Sequence, residues 1–246
     1  TYKGWQYAAW YRNDGPGAAQ ASAVIARREL PDGEWEAARL DHPLWSNDSH
    51  NTIALGVTPS DGRLHVAFPT HDNPVRYTRT IPGVLDDPEE YEWSSRLFDR
   101  IHVLFPGAET APQTFTYPQF ENTGGKTLLT WRDGITNDGR QALLQYNDDP
   151  AGTWTFLGRF THNAGGTYNG GFGNSSTRYG YIHGFTADPA SGNLAVALSW
   201  REQNSAWCNQ SNGVGNHDLG YTVSEDGGRT WLNNDGDVVA RTTLGH

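Results

Sequence analysis

Apolar and polar positions alternate along this chain in short runs. Residues 6–11, 22–30, 35–40, 127–132, 142–146, 153–160, 194–200 and 219–224 each read as one strand, rich in Val, Ile, Thr, Tyr and Trp. Asp, Asn, Gly and Pro clusters part them, and helical spacing is almost absent. The pattern predicts an all-β chain. Its clearest unit is a hairpin within residues 46–77. Residues 52–58 alternate, Pro59-Ser60-Asp61-Gly62 has turn chemistry, and 63–69 alternate again. His50 stands before the first strand and His71 after the second, so the hairpin brings both to one sheet edge. Asn51, Asp72, Asn73 and Pro74 follow them as polar or turn-forming neighbours, the setting in which scaffolds present chemistry.

A repeat lies beneath the alternation. Turn-plus-strand copies place glycines at 62, 125 and 192. A second copied element, a turn followed by a tryptophan strand, places tryptophans at 35, 154 and 231, with Trp93 as a degenerate copy. Units of roughly 60 residues with about four short strands each are propeller blades. The last copy, Ser224-Glu225-Asp226-Gly227-Gly228-Arg229-Thr230-Trp231, matches an Asp-box hairpin. There Asp226 accepts backbone N–H bonds, the glycines supply positive φ, and Trp231 packs into the blade. Such a box defines a scaffold and not an activity. The expected architecture is therefore a β-propeller of four-stranded antiparallel blades, a single domain over residues 1–246. The chain supplies about four blades, fewer than such propellers usually close with, so the propeller is expected to be incomplete at the C-terminus. Residues 238–242 read as a strand for which no partner follows. The remaining blades would belong to a missing segment or to a second chain.

Composition narrows the partners. The formal charge of −10 argues against nucleic acid and against an anionic membrane surface. No apolar run is long enough to span a bilayer. No signal peptide is visible, and a start at Thr1 fits a processed or recombinant mature chain. The single cysteine, Cys208, excludes an intrachain disulfide framework.

Three further polar-aromatic sites sit at expected strand starts or ends. Tyr117, in Tyr117-Pro118-Gln119-Phe120, precedes a strand, and Arg132 ends another. A Gly-rich loop over residues 168–174 is followed by Arg178, Tyr179, Tyr181 and His183. In a propeller, loops at one end of successive blades ring a central depression, where such residues meet.

The ordered set S-H-N-T-I-x-L-G-V, F-x-x-H-x-N-P-V-R-Y, Y-P-Q-F, W-R-D-G-x-x-N-D-G and S-x-D-G-G-x-T-W resembles the propeller polysaccharide lyases with BNR-type repeats. These include the ulvan lyases and the rhamnose–glucuronate lyases. The resemblance runs over residues 7–237. It implies a secreted or periplasmic seven-bladed propeller, longer than this chain, that cleaves an acidic polysaccharide or oligosaccharide at a uronate by β-elimination. That reaction needs a neutralised carboxylate, a base for the C5 proton and an acid for the leaving O4. Arg132 suits the first task, because its planar fork grips a carboxylate and stays charged. The resemblance makes His50 and Tyr117 the acid/base pair and has His71 bind the carboxylate side or share the proton work. Asn51, Asn73, Arg178, Tyr179 and Tyr181 would line the pocket. It further implies a structural zinc on Cys208 and His217; His183, a borderline ligand on a neighbouring segment, is a further candidate by residue type, and a tetrahedral site would take one more ligand or a water. Calcium is the alternative metal, and no organic cofactor is expected. Two rival readings use the same scaffold: a sialidase-like hydrolase and a non-catalytic carbohydrate-binding propeller.

Overall fold

The computed structural model describes residues 1–13, 21–41, 48–68, 71–135, 138–161, 168–170, 173–175, 178–202 and 215–244. The chain folds as consecutive antiparallel sheets. The first joins β1 (Trp5–Asn13), β2 (Ala21–Glu29) and β3 (Glu36–Arg39). The second joins β4 (Ala54–Thr58) and β5 (Arg63–Ala67) and, after the two-residue β6 (Asn73–Pro74), β7 (Tyr77–Arg79). The third runs from β8 (Thr114–Thr123) through β9 (Lys126–Ile135) and β10 (Asp138–Tyr146) to β11 (Trp154–Arg159), with β6 added beside β8. A short hairpin, β12 (Tyr168–Gly170) and β13 (Gly173–Ser175), precedes the fourth sheet. That sheet holds β14 (Arg178–Ala187), β15 (Leu194–Glu202), β16 (Asn216–Ser224), β17 (Thr230–Leu232) and β18 (Val238–Arg241).

The first strands of neighbouring sheets touch in order, β1 to β4, β4 to β8 and β8 to β14. One apolar layer fills each gap between sheets. Ile25, Leu64, Val66 and Trp93 form the first, Tyr77, Phe105, Trp131 and Trp154 the second, and Leu143, Phe160, Leu194 and Trp231 the third. Face-to-face packing of successive sheets around their inner strands is blade packing, so the all-β propeller reading holds. The strand count per sheet differs from the expected four. Among the described residues the four sheets have three, three, five and five strands. The extra strands of the larger two are the guest β6 and the return strand β18.

The repeat maps onto the fold in part: Trp35, just ahead of β3 and 46% exposed, does not share the buried strand position of the later copies. Gly62, Gly125 and Gly192 sit in the turns joining the first two strands of the second, third and fourth sheets, each with a positive φ of 62–75°. A side chain there would be strained, which is why glycine recurs. Trp154 and Trp231 occupy matching, fully buried strand positions. Trp93 does not. It follows a 3-10 turn over Pro88–Glu90, and its Nε1 donates to the Ile25 carbonyl at 3.0 Å, so it seals the first sheet against the second without being a strand copy. The Asp box forms as expected. Asp226 Oδ1 accepts from Ser224 Oγ at 2.8 Å and from the backbone of Arg229 and Thr230 at 3.0 and 2.8 Å. Trp231 stacks on Phe160 with ring centres 4.5 Å apart. The C-terminal strand finds its partner behind it: β18 pairs with β17, Trp231 opposite Ala240.

Candidate active site

All these glycine turns lie at one end of the sheets, and the polar-aromatic residues gather at the other. β4 pairs with β5 from Ala54–Ala67 to Thr58–Arg63, so residues before β4 and after β5 leave the sheet together. His50 and His71 are the result. Their rings stack with centres 4.5 Å apart and planes 23° from parallel. β6 then crosses to the third sheet, pairing Asn73 with Phe115 and Pro74 with Thr114. This crossover delivers His71 and Asp72 to Tyr117 on β8 and to Arg132, which faces Thr116 from β9.

Tyr117 lies inside β8, at a bulge between Thr116 and Gln119, and not ahead of a strand as expected. Its φ is +54°, unusual for a bulky residue, and Asp72 is held at +57°. Strain of this kind is kept where the surroundings impose it, often at functional sites. The Tyr117 ring centre is 6.1 Å from His50 and 6.2 Å from His71. The Arg132 guanidinium lies over the same ring at 5.3 Å. All four expected catalytic residues therefore share one site.

Two acidic residues, not singled out from the sequence, hold it together. Asp48 presents one carboxylate oxygen to His50 Nδ1 and the other to His71 Nδ1, the latter at 3.0 Å. The backbone N–H of His50 also donates to Asp48, at 2.9 Å. That bond and the His50 ring hold the Asp48 carboxyl down to about 2. An ionised Asp48 accepts only, so each histidine is fixed with its proton on Nδ1. Asp72 pairs with Arg132 Nη2, which also donates to His71 Nε2 at 3.0 Å. Arg132 is 93% buried as a side chain (7% exposed), and its Nε finds no hydrogen-bond partner among the described residues. Its stem runs across Gly139, where a Cβ would come within 2.8 Å of Arg132 Cδ. The only forward signals for these partners were the two-residue spacing from Asp48 to His50 and the adjacency of Asp72 to His71.

The residues expected to line the pocket take different places. Asn51 accepts the His71 backbone N–H at 2.7 Å, and Asn73 donates to the His71 carbonyl at 2.8 Å, so both brace that loop. Tyr181 is open to the site and shares a 3.2 Å hydroxyl contact with Tyr117. Tyr179 is fully buried and packs against the Arg132 side at Gly139. Arg178 stacks on Trp200 at 4.4 Å. Burial, together with the Tyr181 hydroxyl, pushes the Tyr117 hydroxyl well above the usual tyrosine range, so it stays protonated as a donor. Beside it a depression of about 340 Å³ is lined by Thr52, Gln119, Tyr181, Ile182 and His183.

The expected metal ligands are split. Cys208 lies outside the described residues. His183 lines the depression just described and meets Ser199 Oγ at 2.8 Å. His217 is buried, with Nε2 at 2.6 Å from Glu202. The register sets His217 across from Trp200, and Trp200 across from Gly180, three residues along β14 from His183. His217 and Glu202 thus offer a buried nitrogen and oxygen donor that His183 does not join. By contrast, Asp48, His50 and His71 bring three donor atoms within 4.8 Å of one another. Among the described residues no helix is long and apolar enough to cross a membrane.

An all-β propeller presenting a stacked histidine pair, a strained tyrosine and a buried arginine at one blade end defines the class. The chain belongs to the BNR repeat-containing family, whose model matches residues 5–245. It is 27% identical to the long isoform of ulvan lyase from Pseudoalteromonas sp. (strain PLSV), over 97% of this chain and 26% of that protein. It is 25% identical to the short isoform from Alteromonas sp. (strain LOR), over 96% of this chain and 49% of that protein. The crystal structure of the polysaccharide lyase Uly1 superposes with a TM-score of 0.73 at 19% identity, covering 96% of this chain and 54% of that one. The chain therefore spans about half or less of the length of these relatives.

Proposed function

We propose that this chain carries the reaction centre of a polysaccharide lyase that cleaves a rhamnose–uronate glycan such as ulvan by β-elimination. The observation that carries the reading is the meeting of His50, His71, Tyr117 and Arg132 in one site. The relatives named ulvan lyase support the substrate class.

The hydrogen bonds separate the histidines by role. Arg132 occupies His71 Nε2 and Asp48 occupies its Nδ1, so His71 is a fixed link between carboxylate and guanidinium. His50 has its Nδ1 on Asp48 and keeps the lone pair of Nε2, on a side chain that is 50% exposed. His50 is the base for the C5 proton in this account. The electrons of that C–H bond form the C4–C5 double bond, the C4–O4 bond breaks, and the Tyr117 hydroxyl protonates O4. Arg132, whose guanidinium lies over the Tyr117 ring, draws charge from the uronate carboxylate and so acidifies C5. Tyr181 and the neighbouring depression hold the adjoining sugar.

We further propose that His217 and Glu202, with Cys208, hold a structural zinc, because two buried donors of suitable type already face each other. Elemental analysis without bound zinc removes that part. A location outside the cytoplasm, in the medium or periplasm, follows if the substrate is an extracellular polymer.

The test is ultraviolet absorbance on mixing the protein with ulvan. A rise signals the unsaturated uronate. New reducing ends without a rise mean hydrolysis, and neither means binding only.

A further inference from the structure

The Asp48–His50–His71 cluster has a chemistry beyond proton transfer. Its three donor atoms lie within 4.8 Å of one another, and His71 Nδ1 is 3.0 Å from Asp48 Oδ2. Neighbouring ligands around a four-coordinate zinc-class ion, with bonds near 2.0–2.2 Å, stand roughly 3.4 Å apart. The stacked rings already turn both Nδ1 atoms to the one carboxylate, so an ion needs only small shifts to enter. The side chains are 50%, 31% and 15% exposed for His50, Asp48 and His71, so solvent ions reach them.

Charge favours a cation. Arg132 and Asp72 pair with each other, and the Asp48 carboxylate faces both Nδ1 atoms, in a chain of formal charge −10. Two imidazoles and one carboxylate select borderline ions such as zinc, cobalt or nickel. Calcium and magnesium prefer all-oxygen shells.

We propose that Asp48, His50 and His71 form a three-ligand site for a borderline divalent transition ion, and that this ion and the polysaccharide exclude each other. The second half rests on the lyase reading above; the first half does not. The proton balance is simple. Each neutral ring carries one N–H, and metal binding at Nδ1 moves that proton to Nε2. The His50 Nε2 lone pair is then gone, and with it the base. On His71 the new Nε2–H faces Asp72 Oδ1, 3.6 Å away, and Arg132 loses His71 as an acceptor while keeping Asp72. Water fills the remaining coordination position.

Cobalt(II) titrated into the protein as purified tests the site, because its visible bands report geometry and ligand type. Saturable tetrahedral-type bands without thiolate charge transfer are expected. Asp48→Asn and His50→Ala should each weaken binding by more than about tenfold. Circular dichroism of both variants should match the parent, since both residues are at least partly exposed. Bands without thiolate charge transfer that persist in both variants, or a titration that gives thiolate-type bands only, overturn the site. Where elimination is detected, zinc should abolish it, and ulvan should raise the cobalt concentration needed for saturation. Elimination unaffected by bound zinc overturns the exclusion. Absence of elimination with normal cobalt bands overturns the lyase reading and leaves the metal site standing.

Discussion

His50 and His71, 21 positions apart in the sequence, lie ring on ring at 4.5 Å and share the carboxylate of Asp48. That sharing is what divides their tasks. One ring is locked between Asp48 and Arg132, while the other keeps an open nitrogen.

Asp48 is accordingly a positioning residue. Asp48→Asn offers an amide whose N–H faces one imidazole N–H, so one ring loses its alignment. We expect kcat to fall by about 10–100-fold with KM changed far less, and partial recovery in Asp48→Glu. Steady-state kinetics of the three proteins decides it. An unchanged kcat in Asp48→Asn removes Asp48 from the account.

Tyr117→Phe removes the proposed acid and leaves the ring. The expected loss in kcat is about 10²–10⁴-fold at nearly unchanged thermal stability. The pH profile gives a second check. The Tyr117 hydroxyl is raised by burial and by Tyr181, so it stays protonated above the ordinary tyrosine value of about 10. No alkaline loss of activity assignable to Tyr117 should occur below that value. A loss near neutrality that vanishes in a tyrosine variant contradicts this role.

Gly139 sets the path of Arg132. A Cβ there would stand 2.8 and 2.9 Å from Arg132 Cδ and Cγ and 3.3 Å from the Tyr179 ring. Gly139→Ala should push the guanidinium off Asp72 and His71 and reduce kcat/KM by more than about tenfold, since misplacement by an ångström is costly in catalysis. Arg132→Lys should lose activity comparably, because an ammonium cannot hold Asp72 and His71 while presenting a second donor edge. Full activity in both variants refutes the placement.

The scaffold responds separately. Asp226 accepts three hydrogen bonds in the Asp box, so Asp226→Ala should cost about 1–3 kcal/mol of stability. Trp231→Ala, which empties a fully buried site against Phe160, should cost about 3–5 kcal/mol. Denaturant unfolding measures both. In conditions where they remain folded, both should keep the parent rate, as neither residue reaches the histidine pair.

Much of this was legible in the chain because it is local. Alternation located the long strands, and glycine's freedom at positive φ marked the three equivalent turns at Gly62, Gly125 and Gly192. The hairpin placed His50 and His71 together because equal offsets on paired strands meet. What was not legible depends on contacts between sheets. Asp48 reaches His71 across 23 positions, and Asp72 reaches Arg132 across 60. Neither pairing leaves a periodic trace. Tyr117 reads from the sequence as a residue before a strand, whereas a bulge between Thr116 and Gln119 carries β8 through it. Residues 168–174 read as a glycine-rich loop, and a short hairpin, β12–β13, forms there. Residues 238–242 read as awaiting a later partner, but a strand that folds back on β17 has the same alternation.

The most direct measurement is ultraviolet absorbance while the protein acts on ulvan, with gum arabic as a parallel substrate. The account predicts a steady rise with at least one of them, lost in His50→Ala and in Tyr117→Phe. No rise from folded protein, with or without new reducing ends, would contradict it.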